Sequence, residues 1–224
     1  MSTDERPADA RPGHGLWAVL VGGLLLMMEL VVLVALVPAP WSQQVRETEA
    51  AWLRAGLGEV TAGAVRARAE SWYARLLVRP GLVAGTYELL LPGPQDLARS
   101  PELAPLATSP GWAWVQSRLD VLWVTIYQAL ERLAVLAAWW PYLLLVVLAG
   151  GGEGWVRRRI RQASFAYPSP LAHRSALRSM MGLALLAGLG LLLPVPVPVL
   201  TVPLLGAVLA LLITVAVGNA QKRL

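Results

Sequence analysis

The chain has 224 residues, 56% of them hydrophobic and only 15% charged, with a formal net charge of +5. It contains no cysteine, which excludes disulfides, thiol catalysis and Cys-ligated metal sites. Two histidines, His14 and His173, are too few for a histidine metal site, and no cofactor is expected.

The apolar residues gather in long blocks, and the mean hydropathy is positive at +0.56. A soluble domain is usually nearer 45–50% apolar. Arginine supplies all the basic residues except Lys222. In a membrane protein, a basic excess is explained by cytoplasmic anchoring without invoking nucleic acid.

Residues 1–15 are polar, with Pro and Gly, and read as a cytoplasmic tail. Leu16 to Val37 is apolar apart from Glu29, long enough to cross the bilayer as span one and longer than the core of a signal peptide. Pro38 and Pro40 end it. Glu29 is an intramembrane acid. It reads either as a carboxyl facing the bundle interior or as a proton or ion site, and its solitude favours the first reading.

Residues 38–118 form the long segment expected outside the membrane. Ser42 to Pro80 reads as an amphipathic helix with Val45, Trp52, Val60, Val65, Trp72 and Leu76 on one face. Gly56, Gly58 and Gly63 predict a break in its centre. Gly81 to Ser109 is a proline-punctuated linker with a short helix near Tyr87–Leu91.

Ser109-Pro110 is a helix start, with Ser as N-cap and Pro at the first position. The pattern Leu119, Leu122, Trp123, Ile126, Leu130, Leu133 gives an apolar face, with Asp120, Gln128, Glu131 and Arg132 off it. One long helix over 119–149 is expected, holding span two at 133–149 and kinked at Pro141.

Residues 150–175 are a basic loop. Gly150 to Gly154 lacks the Lys-Ser/Thr of a phosphate loop and reads as a flexible exit from span two. Trp155 to Gln162 forms a basic helix on the inner leaflet. The residues offered for docking or lipid contact are Trp155, Arg157, Arg158, Arg159, Arg161, Ser164, Phe165 and Tyr167. Anionic lipid is the expected partner and nucleic acid is not.

Span three is 176–193 and span four 200–217, joined by a turn over 194–199 built on Pro194, Pro196 and Pro198. Ala184/Gly188 and Gly206/Ala210 are small-residue pairs that let helix backbones approach. The tail 218–224 is cationic again. The fold class is therefore an all-α integral membrane protein with four transmembrane helices, both termini and the basic loop in the cytoplasm, and a long amphipathic segment outside between spans one and two.

The stretch EGWVRRRIRQASFAYPSPLAHRSALRSM, which follows a span and precedes a hydrophobic hairpin, resembles the DUF4400 family of integrating conjugative element membrane proteins. Glu153, Gly154, Val156, the Arg157–Arg159 run with Arg161, Ser164 to Tyr167, and His173-Arg174 match its pattern. Pro168 stands where the family often has His. ESWYARLLVRPGL and the four-span layout are also similar. The resemblance implies a role in conjugative transfer beside type IV secretion components of the bacterial inner membrane, and it supplies no catalytic residues. The expected function is a non-catalytic subunit that acts by docking to other conjugation proteins. A small transporter or proton-coupled protein using Glu29 is the alternative. A lipid-acting enzyme would have only Glu131 and Asp120 to work with.

Overall fold

A computed structural model describes residues 14–91, 109–164 and 169–220. Among them are seven α-helices and no strand: α1 (His14–Leu36), α2 (Ala39–Tyr73), α3 (Leu82–Leu90), α4 (Pro110–Ala138), α5 (Trp140–Ala163), α6 (Pro170–Leu192) and α7 (Thr201–Gly218), with a single π-helical turn over Ala74–Val78 after α2. Val19–Leu36, Pro110–Ala138, Pro170–Leu192 and Thr201–Gly218 are long and apolar enough to cross a membrane.

Helix α2 is two arms. Gly58 has φ 78° and ψ 162°, a backbone conformation that glycine alone adopts without strain. Arg46 in the first arm lies over the Tyr127 ring at 4.7 Å, and Tyr73 in the second meets the same ring edge-on at 5.5 Å. A straight helix would hold residues 46 and 73 about 40 Å apart. The chain therefore turns back at Gly58, where the glycine cluster predicted a break.

The two arms and α4 enclose a small core. Leu53 comes from the first arm, Ala62, Val65 and Ala69 from the second, and Ala134 from α4. The reversal changes which residues face inward. Val60 is 89% exposed, and Trp52 and Leu76 also face out, whereas Leu53, Ala62 and Ala69 are buried. The single apolar face expected across Ser42 to Pro80 is corrected accordingly: a non-helical residue in mid-run resets the phase.

Helix α4 starts at Pro110 after Ser109 as expected, although the Ser109 side chain makes no capping bond. It ends at Ala138. Trp139 is non-helical (φ −86°, ψ 2°), and Pro141 stands in the first turn of α5. The expected kink is thus a break between two helices. Gln128 is buried and Arg132 nearly so, because α4 is covered on more than one side. Placing both off the packed face was wrong.

Helices α1, α6, α7 and α5 pack side by side in that order. A Cβ on Gly22 would stand 3.5 Å from Leu185, and one on Gly188 would stand 4.0 Å from Leu26. This register makes α1 and α6 parallel. Helix α7 returns antiparallel to α6 after the proline turn. Helix α5 then lies parallel to α7: Gly206 meets Tyr142 and Leu143 at one end, and Gly218 meets Arg157 at the other.

The α5–α7 contact corrects one expectation. Gly150 to Gly154 is helical, not a flexible exit. A Cβ on Gly150 would fall 2.6 Å from the Ala210 oxygen, and one on Gly154 would fall 2.8 Å from Val217 Cβ. These glycines exist for close backbone approach. The small residues of α7 likewise serve α5 rather than the α6 hairpin. Thr214 Oγ1 donates to Gly150 O at 3.0 Å across the same seam.

Helix α4 does not run alongside α1 and α6. Its Arg118 reaches the last carbonyls of α1 and its Arg132 those of α6. These two positions are about 21 Å apart along α4, whereas the α1–α6 register offsets the two sets of carbonyls by only about 9 Å. Helix α4 therefore crosses the ends of α1 and α6 obliquely. The protein has two layers: four aligned helices, and a cap of α2, α3 and α4 over one end.

Candidate functional site

The last carbonyls of a helix lack intrahelical partners and carry the negative end of its dipole. After α6 the problem is sharper, because Pro194, Pro196 and Pro198 have no N–H to contribute. Arg132 supplies the donors. Its Nη1 donates to Gly190 O at 2.7 Å, Leu191 O at 3.0 Å and Leu193 O at 2.9 Å, and its Nη2 donates to Val195 O at 2.8 Å.

Glu49 of the first α2 arm completes this centre. Arg132 Nη2 lies 2.6 Å from Glu49 Oε1 and Nε lies 3.1 Å from it. The same oxygen accepts the Val197 N–H at 2.8 Å, and Oε2 accepts Gln128 Nε2 at 3.0 Å. Both charged side chains are largely buried, at 10% and 15% exposure. A buried pair is tolerated when its remaining donors and lone pairs are satisfied, as here. Trp41 Nε1 adds a bond to Pro194 O at 2.7 Å. The outcome is an α2 arm, the end of α4 and the proline turn joined through polar contacts.

A cavity of about 280 Å³ opens beside the pair. Leu53, Val135, Leu186, Gly190, Val199 and Leu205 line it, with Glu49, Glu131 and Arg132 along one edge. Glu131 also faces Arg66 at 3.8 Å. Asp120, the other acid considered for catalysis, accepts the Tyr87 hydroxyl at 2.6 Å. Burial, then the bond to Asp120 and its charge, push the Tyr87 phenol above its ordinary range. That bond and Trp123 Nε1 donating to Thr86 Oγ1 at 3.2 Å fasten α3 to α4.

Two further arginines act as Arg132 does. Arg118 Nη1 donates to Val34, Ala35 and Val37 oxygens at 3.1, 3.2 and 3.0 Å, closing α1 before Pro38. Arg161 Nη1 donates to Gly218 O at 3.2 Å and to Asn219 Oδ1 at 2.5 Å, closing α7. Buried Asn219 also accepts the Ser169 N–H at 3.3 Å and donates to Val215 O at 2.8 Å. His173 Nδ1 lies 2.8 Å from Ala216 O. These contacts hold the start of α6 and the end of α5 against α7.

The residues offered for docking fall into three groups. Arg161 is turned inward onto α7, so it serves packing. Arg157 pairs with Glu153 at 2.7 Å along an exposed helix face. Trp155 is exposed with Arg159 over its ring at 4.9 Å. Arg158 is half-buried, and Ser164 is exposed with Oγ donating to Arg161 O at 3.4 Å. Phe165 and Tyr167 lie outside the described residues. The segment expected as a separate basic helix is the uninterrupted end of α5. Glu29 of α1 is far from these residues. Among the described residues, one of its carboxylate oxygens is buried without a hydrogen-bond partner.

Glu49, Gln128, Arg118 and Asn219 were not singled out from the sequence. Carbonyl acceptors leave no mark on it, and Glu49 and Arg132 are 83 residues apart. Among the described residues no group of three or more His, Cys, Asp or Glu side chains is placed to hold a metal ion.

Comparison with curated proteins and with solved structures finds no match. A family model described as IncC plasmid conjugative DNA transfer protein DtrJ-like matches residues 33–223. That match does not confirm the DUF4400 label, but it supports the conjugative context implied by the resemblance. The span matched is most of the chain, so the protein belongs to the DtrJ-like family of conjugative DNA transfer proteins.

Proposed function

We propose that the protein is a non-catalytic inner-membrane subunit of a conjugative transfer apparatus that works by docking to other transfer proteins. The observation that carries this reading is the DtrJ-like match over residues 33–223. The side-chain chemistry agrees with it. The acids and bases brought together are already paired for packing: Glu49 with Arg132, Glu131 with Arg66, Asp120 with Tyr87.

In this reading the spans are α1, α5, α6 and α7. By composition α4 is the better candidate than α5, whose glycines and arginines lower its hydropathy. Packing favours α5. It lies parallel along α7, so a membrane that contains α7 also contains α5, and its 24 residues reach about 36 Å. Helix α4 touches α1 and α6 at their ends. It lies at the periplasmic interface, and exposed Trp41, Trp114 and Trp140 stand at the starts of α2, α4 and α5, a residue type enriched at bilayer boundaries. The basic end of α5 is cytoplasmic, beside anionic lipid.

The test is a donor cell in which the gene is deleted and then restored with a photocrosslinking amino acid at Arg159 or Val60. Restored transfer with adducts to another transfer protein, seen only when the rest of the transfer genes are present, is the expected result. Normal transfer from the deletion strain sinks the proposal.

A second reading, a proton-coupled transporter, is favoured by the buried, unpartnered oxygen of Glu29. It requires Glu29→Gln to abolish transfer while protein level and crosslinks persist. Under the docking reading, that variant transfers at the wild-type frequency.

A further inference from the structure

The cavity beside Glu49 and Arg132 plays no part in the docking function. Its walls are Leu53, Val135, Leu186, Val199, Val202 and Leu205, from the first arm of α2, α4, α6, α7 and the proline turn. On the polar edge the Glu49–Arg132 pair is chemically closed. Arg132 directs its Nε, Nη1 and Nη2 donors at Glu49 and four carbonyl oxygens, and Glu49 accepts from Arg132, Gln128 and Val197. A ligand inside therefore meets apolar walls, the saturated Glu49–Arg132 pair and, at the edge, Glu131, which faces Arg66 at 3.8 Å. That selects an uncharged hydrocarbon segment and rejects an anion or a cation.

The size and the opening narrow the ligand further. A cavity of about 150 Å³ holds benzene, so one of about 280 Å³ holds a chain of roughly ten carbons. Leu186 lines the cavity and is also 65% exposed on the flank of α6. With α6 as a span, that flank faces acyl chains. Two small residues shape the hollow on the α6 side: Ala187, and Gly190, where an added Cβ would meet nothing within 4 Å.

We infer that this cavity binds the acyl chain of a bilayer phospholipid, which enters from the flank of α6 and seats its end between α2 and the proline turn. The inference rests on the membrane reading above. Binding draws little on the hydrophobic effect, because the chain leaves one apolar phase for another. It comes from contacts that cavity walls otherwise lack. A bound chain then bridges the cap and the aligned helices, next to the ion pair that does the same.

The test uses the full chain in phosphatidylcholine vesicles that contain phosphatidylcholine with a diazirine near the end of one acyl chain. Adducts are located by peptide fragmentation. Leu53 is only 4% exposed, so bulk lipid does not reach it, whereas Leu24 is 69% exposed on α1 and serves as the internal control. We expect labelling at both. In Gly190→Leu, and separately in Ala187→Leu, labelling of Leu53 falls at least tenfold while that of Leu24 is unchanged. Whichever variant keeps the wild-type circular dichroism spectrum and a single gel-filtration peak decides. Labelling at Leu24 without Leu53 overturns the cavity site and leaves the membrane reading standing. Unchanged Leu53 labelling in a folded, filled variant also overturns the site. No labelling at either residue overturns both.

Discussion

Arg132 Nη2 stands 2.6 Å from Glu49 Oε1, and this contact joins two parts of the molecule that share no backbone path shorter than 83 residues. On one side is the first arm of α2. On the other is α4, whose Arg132 also holds the end of α6. Arginine suits the position for a geometric reason. A planar fork can serve a carboxylate and several carbonyls at once, which the compact ammonium of lysine cannot.

Arg132→Leu should therefore be among the most damaging single changes in the chain. It leaves the Glu49 carboxylate buried without its cation and removes donors from four carbonyl oxygens. Breaking a buried pair in this way costs about 3–5 kcal/mol. Arg132→Lys keeps the charge and should fall between wild type and leucine. Thermal unfolding of purified protein in one detergent ranks the three. A leucine variant that melts with the wild type would show the pair to be dispensable.

How far the sequence foretells the structure depends on whether a feature is written in local residue order. Gly58, Ser109-Pro110 and Pro141 each impose a backbone constraint on their own neighbours, and helix ends or breaks occur at or beside all three. The inward face of α2 was not foretold, because one periodicity was carried across Gly58, where the chain reverses. The arginine contacts at helix ends were not foretold either. Their acceptors are backbone carbonyls, which every residue has. Gly150 and Gly154 are an intermediate case. Their four-residue spacing was visible, and so was that of Gly206 and Ala210. Only the fold reveals that Gly150 meets Ala210, Gly154 meets Thr214 and Val217, and Gly206 meets Tyr142 and Leu143.

Gly58→Ala should destabilise the cap with no steric clash. A Cβ there meets nothing within 4 Å, so the penalty is the positive φ alone. At this extended ψ such a backbone costs an L-residue about 1–3 kcal/mol. Gly63→Ala, a glycine with ordinary helical backbone and equally open surroundings, should be neutral or slightly stabilising. Limited proteolysis within 39–73 compares the two, and equal sensitivity would mean that the turn at Gly58 is not strained.

Gly154→Val should separate α5 from α7. Even a first carbon at this position falls 2.8 Å from Val217 Cβ and 2.9 Å from Thr214 O, and backbone cannot yield as a flexible side-chain tip does. Overpacking of this kind costs about 1–3 kcal/mol. Gly152→Val, two residues earlier on the opposite face of α5 with nothing within 4 Å, is the matched control. Thermal unfolding of purified protein in one detergent reports the effect: the melting temperature should fall with Gly154→Val and not with Gly152→Val, and equal melting would show that the close approach is dispensable.

Alkaline pH should loosen the contact between α3 and α4. The Tyr87 phenol is raised in the folded state by burial and by Asp120, while in the unfolded chain it titrates near its ordinary value of about 10. Above that value the unfolded chain gives up a proton that the folded chain retains. The stabilisation is thus complete below about pH 10 and declines as pH rises further. Melting temperatures from pH 8 to 11 should fall less steeply for Tyr87→Phe than for wild type. Parallel curves would show that Tyr87 does not contribute.

The layered architecture makes one prediction about sidedness that composition alone reverses. If α4 crossed the membrane and α5 did not, the α4–α5 junction at Trp140 would lie on the same side as Arg159, opposite Trp114. In the proposed topology, with α5 as the span and α4 at the periplasmic interface, Trp114 and Trp140 are both periplasmic and Arg159 is cytoplasmic. Shielding of Trp140→Cys in intact cells while Trp114→Cys is labelled would overturn the assignment of α5 as the span. The chain has no cysteine, so single cysteines can be introduced without background. Trp114→Cys at the start of α4 and Trp140→Cys at the α4–α5 junction replace exposed residues, and Arg159→Cys lies on the exposed face of α5. In intact cells with a permeable outer membrane, an impermeant maleimide should label the first two. It should label Arg159→Cys only after the inner membrane is opened. Labelling of Arg159→Cys in intact cells would move the basic end of α5 to the periplasm, and with it the arginines now assigned to the cytoplasmic leaflet.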